Sequence, residues 1–264
     1  MKYKTNIFIC FAAEDRYNIA EPLVYHLKNY GIDIWYDRYN LLIGDNRIKK
    51  NLVEGAGQCT YAAVVISKNT INSPCTIEEL SIIKERYFKK EVTVFPILYE
   101  ISPNEIPTEL EWIKEIIFKE VDRSSGTRDI CNHIACKLTE DLLTEYELNS
   151  FPLLLHSKII PKDIKEILKS YRSIDSHNLN SRISLLYAAH IVLKGKLKNG
   201  ESVPQMLLKT FERLFTETKL NITIDYREIW LLENIICLIS NYYIEYSTES
   251  SISSTTSNNE LTFV

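Results

Sequence analysis

The chain is poor in the residues that build phosphate cradles. It has seven glycines in 264 residues and no G-x-x-x-x-G-K run. The stretch Gly55-Ala56-Gly57 begins like G-x-G-x-x-G, but Thr60 stands where the third glycine would be. The context differs as well: a dinucleotide fingerprint follows a strand and opens a helix, so that the helix N-terminus meets the pyrophosphate. Here the glycines close a helical pattern and precede a strand, and they read as a helix C-cap. An excess of positive charge is also missing. With 31 Lys+Arg against 35 Asp+Glu the net charge is -4, so nothing draws the chain to a phosphate backbone, and the basic run at 84–91 is interrupted by glutamate and reads as a solvated helix end. No nucleic-acid partner is expected.

Other absences narrow the field further. No segment has the roughly 20 uninterrupted apolar residues of a membrane span, because stretches such as 227–243 are broken by charges. Cys10, Cys59, Cys75, Cys131, Cys136 and Cys237 are scattered without a zinc spacing, and the opening MKYKTNIF lacks a charged-then-apolar leader pattern. Together these predict a soluble chain in a reducing cytoplasm. The five histidines, His26, His133, His156, His177 and His190, form no i, i+4 pair with one another, and no metal site is expected. No serine sits in a G-x-S-x-G elbow, and no cysteine has a histidine partner that sequence can nominate, so the familiar hydrolase classes lack support.

What is present is alternation. An apolar run at 5–11 has strand length, and Ile19, Leu23, Leu27 and Tyr30 then repeat at helical spacing until Gly31 supplies a stop. Further strands are expected at 32–36, 61–67, 92–98 and 115–121, separated by helices through Ile48 to Val53, across 76–88 and across 127–147. A long loop carries Pro103 and Pro107. Five such units in succession predict a parallel sheet covered by helices on both faces. After about residue 149 the Val/Ile runs of strand length disappear, and helices are expected near 161–172, 180–194, 203–218 and 225–246. The expected division is a sheet domain at 1–147, a linker at 148–160 marked by Pro152 and by Pro161 just after it, a small all-α domain at 161–247, and a Ser/Thr/Asn-rich disordered tail at 248–264.

One stretch, SPCTIEEL at 73–80, raises a chemical question: Glu78 and Glu79 stand side by side in the first turns of a helix that follows a buried strand. At about 100° per residue, Ile77, Leu80, Ile83 and Tyr87 cluster as the buried stripe, Glu79 lies at its edge about 100° from Leu80, and Glu78 lies about 160° away, facing water. Glu79 would sit near the carboxyl edge of the sheet, where ligands bind in open α/β folds. On geometry alone, a surface charge stabilised by the helix dipole is the commoner explanation of such a residue.

The order of several blocks resembles the Toll/interleukin-1 receptor (TIR) domains, particularly the prokaryotic members that cleave NAD. The block at 7–15, IFICFAAED, is similar to the first strand and loop; 23–37 to the first helix and second strand; 41–59 to the following loop and helix; and 61–80 to the third strand leading into the active-site helix. The resemblance covers roughly the first 147 residues and implies a flavodoxin-like fold with a five-stranded parallel sheet. It implies that the catalytic glutamate of the W-x-x-x-E-L pattern falls at Glu79, followed by Leu80. Two positions depart from the family's pattern: Cys75 replaces the aromatic residue four before the glutamate, removing a flat surface for a planar base, and Cys10 replaces a serine.

The resemblance further implies that Cys10, Phe11 and Ala12 line the substrate pocket with Cys75, and that the loop bearing Asp45 and Arg47 gates it or is supplied by a neighbouring copy. The residues also admit plainer readings. Cys10 and Phe11 read equally as strand-end packing and Asp45 as the N-cap of the next helix, while Trp35 and Tyr36 read as packing residues. NAD would be the substrate and no cofactor is implied. Because nicotinamide leaves as an already cationic group, one carboxylate can suffice, with water giving ADP-ribose or another part of the nucleotide giving a cyclic isomer. By analogy the chain would be a homo-oligomeric sensor-effector of bacterial antiviral defence, its helical region meeting a trigger or effector protein. A non-catalytic scaffold acting by homotypic assembly is the competing class, and Cys75 is its best support. The sheet domain as a nucleotide-signal receiver ranks last, with no phosphate-gripping basic cluster or glycine loop behind it.

Overall fold

A computed structural model describes residues 6–197, 203–219 and 224–259. The apolar runs of the first half pair into one sheet. Its strands are β1 (Asn6–Cys10), β2 (Asp33–Trp35), β3 (Tyr61–Ile66), β4 (Thr93–Tyr99) and β5 (Lys119–Val121). All neighbouring pairs are parallel, as the alternating pattern predicts, and the strand order is β2-β1-β3-β4-β5. The chain order reverses between β1 and β3, which makes the carboxyl ends of those two strands the switch point where such sheets place ligands. Phe8 and Cys10 join a core cluster with Leu80 and Ile83, so the period of two turns Ile7 and Ile9 to the opposite face.

Helices follow from the same residues. A π-helical turn, Arg16–Ala20, leads into α1 (Glu21–Asn29). Pro22 has no N–H to donate to Asn18, which accounts for the change of winding there. Gly31 (φ 71°) ends α1: its N–H reaches Lys28 O at 2.9 Å and the Ile32 N–H reaches Leu27 O at 3.1 Å, the paired bonds of a Schellman stop. A short α2 (Asp37–Asn40) lies in the loop after β2, and a second π-wound helix spans Ile48–Ala56. At Gly55 within that helix an added Cβ would stand 2.8 Å from the Phe8 ring, so glycine there permits close approach to β1, while Gly57 forms the C-cap. After β3 come α3 (Lys68–Ile71) and α4 (Pro74–Phe88), and the chain reaches α5 (Arg128–Leu143) after two 3₁₀ turns between β4 and β5.

Clustering of contacts divides the chain at Ile134/Ala135, inside α5 and well before the composition change near residue 149. The first half of α5 belongs to the sheet unit because it packs on α1: the Tyr30 hydroxyl donates to Asn132 Oδ1, and the Cys131 thiol lies 3.9 Å from Leu23 O. The second unit contains α6 (Phe151–His156), α7 (Lys162–Ser173), α8 (Leu179–Lys196), α9 (Gln205–Lys219) and α10 (Tyr226–Asn259). Helix α8 packs against both α7 and α10, burying Leu168, Leu186, Leu193 and Leu232.

Two features differ from the sequence expectation. The stretch expected as linker contains α6, since Pro152 occupies the first helical turn, where a missing N–H costs nothing, and Phe151 and Leu154 are buried. Helix α10 continues to Asn259 through residues whose composition predicts disorder; extending an existing helix avoids the cost of nucleating one. Residues 260–264 of that expected tail lie outside the described residues.

Candidate active site

Glu79 is placed by two successive caps. Ser67 begins a capping box with Thr70 at the end of β3, and Ser73 then caps α4 by accepting from the Thr76 N–H at 3.4 Å, with Pro74 in the first turn. The side of α4 that turns inward is not the predicted one. Thr76, Glu79, Leu80 and Ile83 are buried, whereas Ile77 is 39% exposed. Those four inward residues share an arc of about 100° that excludes Ile77. The cause is polar: the Thr76 hydroxyl donates to Phe11 O at 3.2 Å and is hydrogen-bonded to the Ser73 hydroxyl at 2.7 Å, anchoring this face to the end of β1. The rotation draws Glu79 inside, to 8% exposure, and leaves Glu78 facing water as its position predicts.

The carboxylate of Glu79 meets two donors. The Nδ2 of Asn51, from the helix between β2 and β3, donates to Oε1, and the Cys10 thiol hydrogen-bonds to the same group from the end of β1. Burial pushes Glu79 up from an ordinary 4.5 to about 7; the bonds from Cys10 and Asn51 pull the other way without overcoming it, Asp37 adds to the rise and Arg47 opposes it. Cys10 is itself held well above the usual thiol range by burial and by the neighbouring Glu79 charge. A carboxylate with fixed donors that titrates near neutrality is what an enzyme needs to hold or stabilise charge on demand.

Other expected residues take varied places. Cys10 and Ala12 are fully buried and Phe11 nearly so, its ring lying 5.0 Å from the Arg16 guanidinium. Arg47 reaches Glu78 at 2.7 Å, so the loop after β2 lies across the start of α4. Asp45 neither contacts Glu79 nor caps the helix: its Oδ2 accepts from the Leu42 N–H at 2.8 Å, and Asn46 takes the helical N–H of Lys49 at 3.0 Å. Cys75 is exposed, one turn before Glu79 on α4. Trp35 packs on Phe8 at 5.2 Å between ring centroids, as a packing residue should.

Four residues were not foreseen as part of this region. Asn51 is one. Its signal was present, since Asn51 and the buried Gly55 lie four apart on one helical face, but a buried asparagine needs a partner that sequence does not name. Arg16 and Asp37 form a two-bond clamp at 2.7 and 2.6 Å, joining the loops after β1 and β2 beside Phe11 and Tyr36. Asp15 serves structure: it is buried and accepts from Ser67 Oγ and, at 2.7 Å, from Asn69, tying the end of β1 to that of β3. No group of metal-ligating residues occurs among the described residues. No helix among them is long and apolar enough to cross a membrane.

Comparison with known proteins bears on the same segment. Residues 7–129 match the profile of the family described as TIR domain. The 2' cyclic ADP-D-ribose synthase BtTIR of Bacteroides thetaiotaomicron is 31% identical over 101 residues, covering 38% of this chain and 35% of that protein. The NAD(+) hydrolase TcpC of Escherichia coli O6:H1 is 32% identical over 102 residues, covering 38% of this chain and 33% of that one. The chain thus spans about a third of the length of the curated relatives it matches. Among solved structures, the TIR domain of the Toll-related receptor TRR-2 from Hydra magnipapillata aligns with 20% identity and a TM-score of 0.36, over 43% of this chain and 82% of that one.

Proposed function

We propose, from the premise that residues 7–129 are a TIR domain, that this chain cleaves the N-glycosidic bond between nicotinamide and ribose in NAD, with Glu79 as its catalytic carboxylate. The observation that carries the reading is the buried, twice hydrogen-bonded Glu79 at the switch point of the sheet, titrating near 7. Relatives over the same domain are named NAD(+) hydrolases and cyclic ADP-ribose synthases, which supports the reaction class.

In the reaction, the C1′–N bond breaks and its electron pair neutralises the pyridinium as nicotinamide leaves. Positive charge develops on the ribose ring, and a carboxylate beside the ribose hydroxyls stabilises it more in the transition state than in the bound substrate. The approach of the cationic nicotinamide-ribosyl group favours ionisation of a carboxyl poised near 7, so charge is supplied as substrate arrives. Water then attacks C1′ and releases a proton, giving ADP-ribose; attack by another group of the same nucleotide gives a cyclic isomer. Asn51 and Cys10 orient the carboxylate. The protein acts on this reading as an assembly of copies in the bacterial cytoplasm, in antiviral defence or signalling, with the exposed Leu42 and Ile43, beside Asp45 and Arg47, available to a neighbouring copy. A trigger or effector protein would engage the helical unit.

The test is a chromatographic time course of NAD with concentrated wild-type protein and with Glu79→Gln. Nicotinamide release by the wild type, reduced at least about a hundredfold in the variant, is the expected result. A scaffold, the second reading, has in its favour the exposed Cys75 where a stacking ring would serve a planar base. It predicts no release from either protein under conditions that force assembly, and unchanged assembly of the variant.

A further inference from the structure

The helical unit holds a cavity of about 460 Å³, within the range of small-molecule sites, and its walls are not those of packed core. Glu233 of α10 lies on it, and Glu233 Oε1 accepts both the Tyr171 hydroxyl of α7 and Arg182 Nη2 of α8, the latter at 2.5 Å. The guanidinium lies 4.8 Å from the centre of the Tyr171 ring, and Nη1 donates to Ser176 O at 3.2 Å. Three hydrogen bonds thereby hold this knot. The buried Arg182 Nε–H has no acceptor, and Glu233 Oε2 receives no donor among the described residues. Glu233, whose side chain keeps 27% exposure, thus has Oε2 left to accept from a donor in the cavity.

Two further residues on the cavity walls have no structural employment. Trp230 is 38% exposed, whereas Trp35 and Trp112, in the sheet unit, are 8% and 5% exposed. Arg172 is exposed and makes no ion pair or hydrogen bond to any described residue. A flat indole surface, an uncommitted guanidinium and an unused carboxylate oxygen specify a ligand by its chemistry. It needs a planar ring, an anionic group, and a hydroxyl that donates to Glu233.

We propose that this cavity is a binding site for a nucleoside monophosphate or a molecule containing one, with the base on Trp230, the phosphate on Arg172 and a ribose hydroxyl on Glu233. The site is separate from the Glu79 site and stands whether or not Glu79 cleaves NAD.

The test uses the full chain carrying Glu79→Gln, so that no nucleotide is consumed, and follows tryptophan fluorescence on titration with AMP. Saturable quenching is expected, and it disappears in Trp230→Phe. Arg172→Ala weakens AMP binding by about tenfold or more while leaving adenosine unaffected, and 2′,3′-dideoxy-AMP binds at least about tenfold more weakly than AMP. Inorganic phosphate alone gives no quenching. Absence of saturable quenching at millimolar AMP overturns the proposal, as does AMP binding that Arg172→Ala leaves unchanged.

Discussion

Glu79 in the sheet unit and His190 in the helical unit are both buried ionisable side chains, 8% and 0% exposed, and burial displaces each toward its neutral form. What surrounds them differs. Glu79 has hydrogen-bond partners on two other elements, an asparagine and a thiol. Among the described residues His190 has none for either ring nitrogen, and it lies stacked on Phe211 at 4.4 Å with the planes 7° apart. One is an ionisable group provided with donors, the other an aromatic plate in a core. The contrast shows that a displaced pKa alone does not mark a site; polar groups assembled around it do.

The sharpest way to break this contrast is to remove the plate's neighbour. Phe211→Ala is expected to destabilise the helical unit by about 3–5 kcal/mol, since a fully buried ring stacked on His190 is lost. Segment-resolved hydrogen exchange should show α8 and α9 losing protection while α4 keeps it. Equal loss in α4 would mean that the two units do not unfold separately.

Acid and base should then separate the units in opposite directions. As pH rises from 4.5 toward 7, the unfolded chain releases the Glu79 proton that the folded unit retains, so the stability of the sheet unit falls. As pH falls from 6.5 toward 4, the unfolded chain binds a proton that folded His190 refuses, so the stability of the helical unit falls too, but on acidification. At 1.36 kcal/mol per pH unit each interval corresponds to about 3 kcal/mol. Thermal unfolding of wild type and Glu79→Gln at pH 5 and pH 8 checks the first sign: the variant should be the more stable at pH 8, with the difference shrinking at pH 5.

Smaller effects refine the picture. Asn51→Ala removes a bond that favours the charged form of Glu79, so the acid limb of the pH–rate profile should move upward, with a loss of about 1–2 kcal/mol in stability. A profile that does not move would deny Asn51 its role in holding the carboxylate. Arg47→Ala breaks an exposed pair with Glu78 and should cost under about 1 kcal/mol in a denaturant titration.

The sequence made the succession of parallel strands and the helical second half readable because both rest on periodicity: β3 is a short apolar run buried on both faces, and the α1 stop is written in Gly31. The site was readable only to the level of one residue. Apolar spacing put Ile77 in the buried stripe of α4, but two hydrogen bonds at Thr76 decided the rotation, and polar anchors of that kind have no period. For the same reason Asn51, Arg16 and Asp37 were out of reach, since each is defined by a partner on another element. Pro152 misled in the other direction, by resembling a break where it starts a turn.

The exposure of Cys75 has a practical consequence. It is the one exposed thiol of the six, the others being buried or, for Cys136, half-buried. It lies a single helical turn from Glu79. A maleimide fluorophore or spin label should therefore attach there without prior removal of the native cysteines, and its signal would report the binding of a ligand beside Glu79, or the approach of a second copy, in real time.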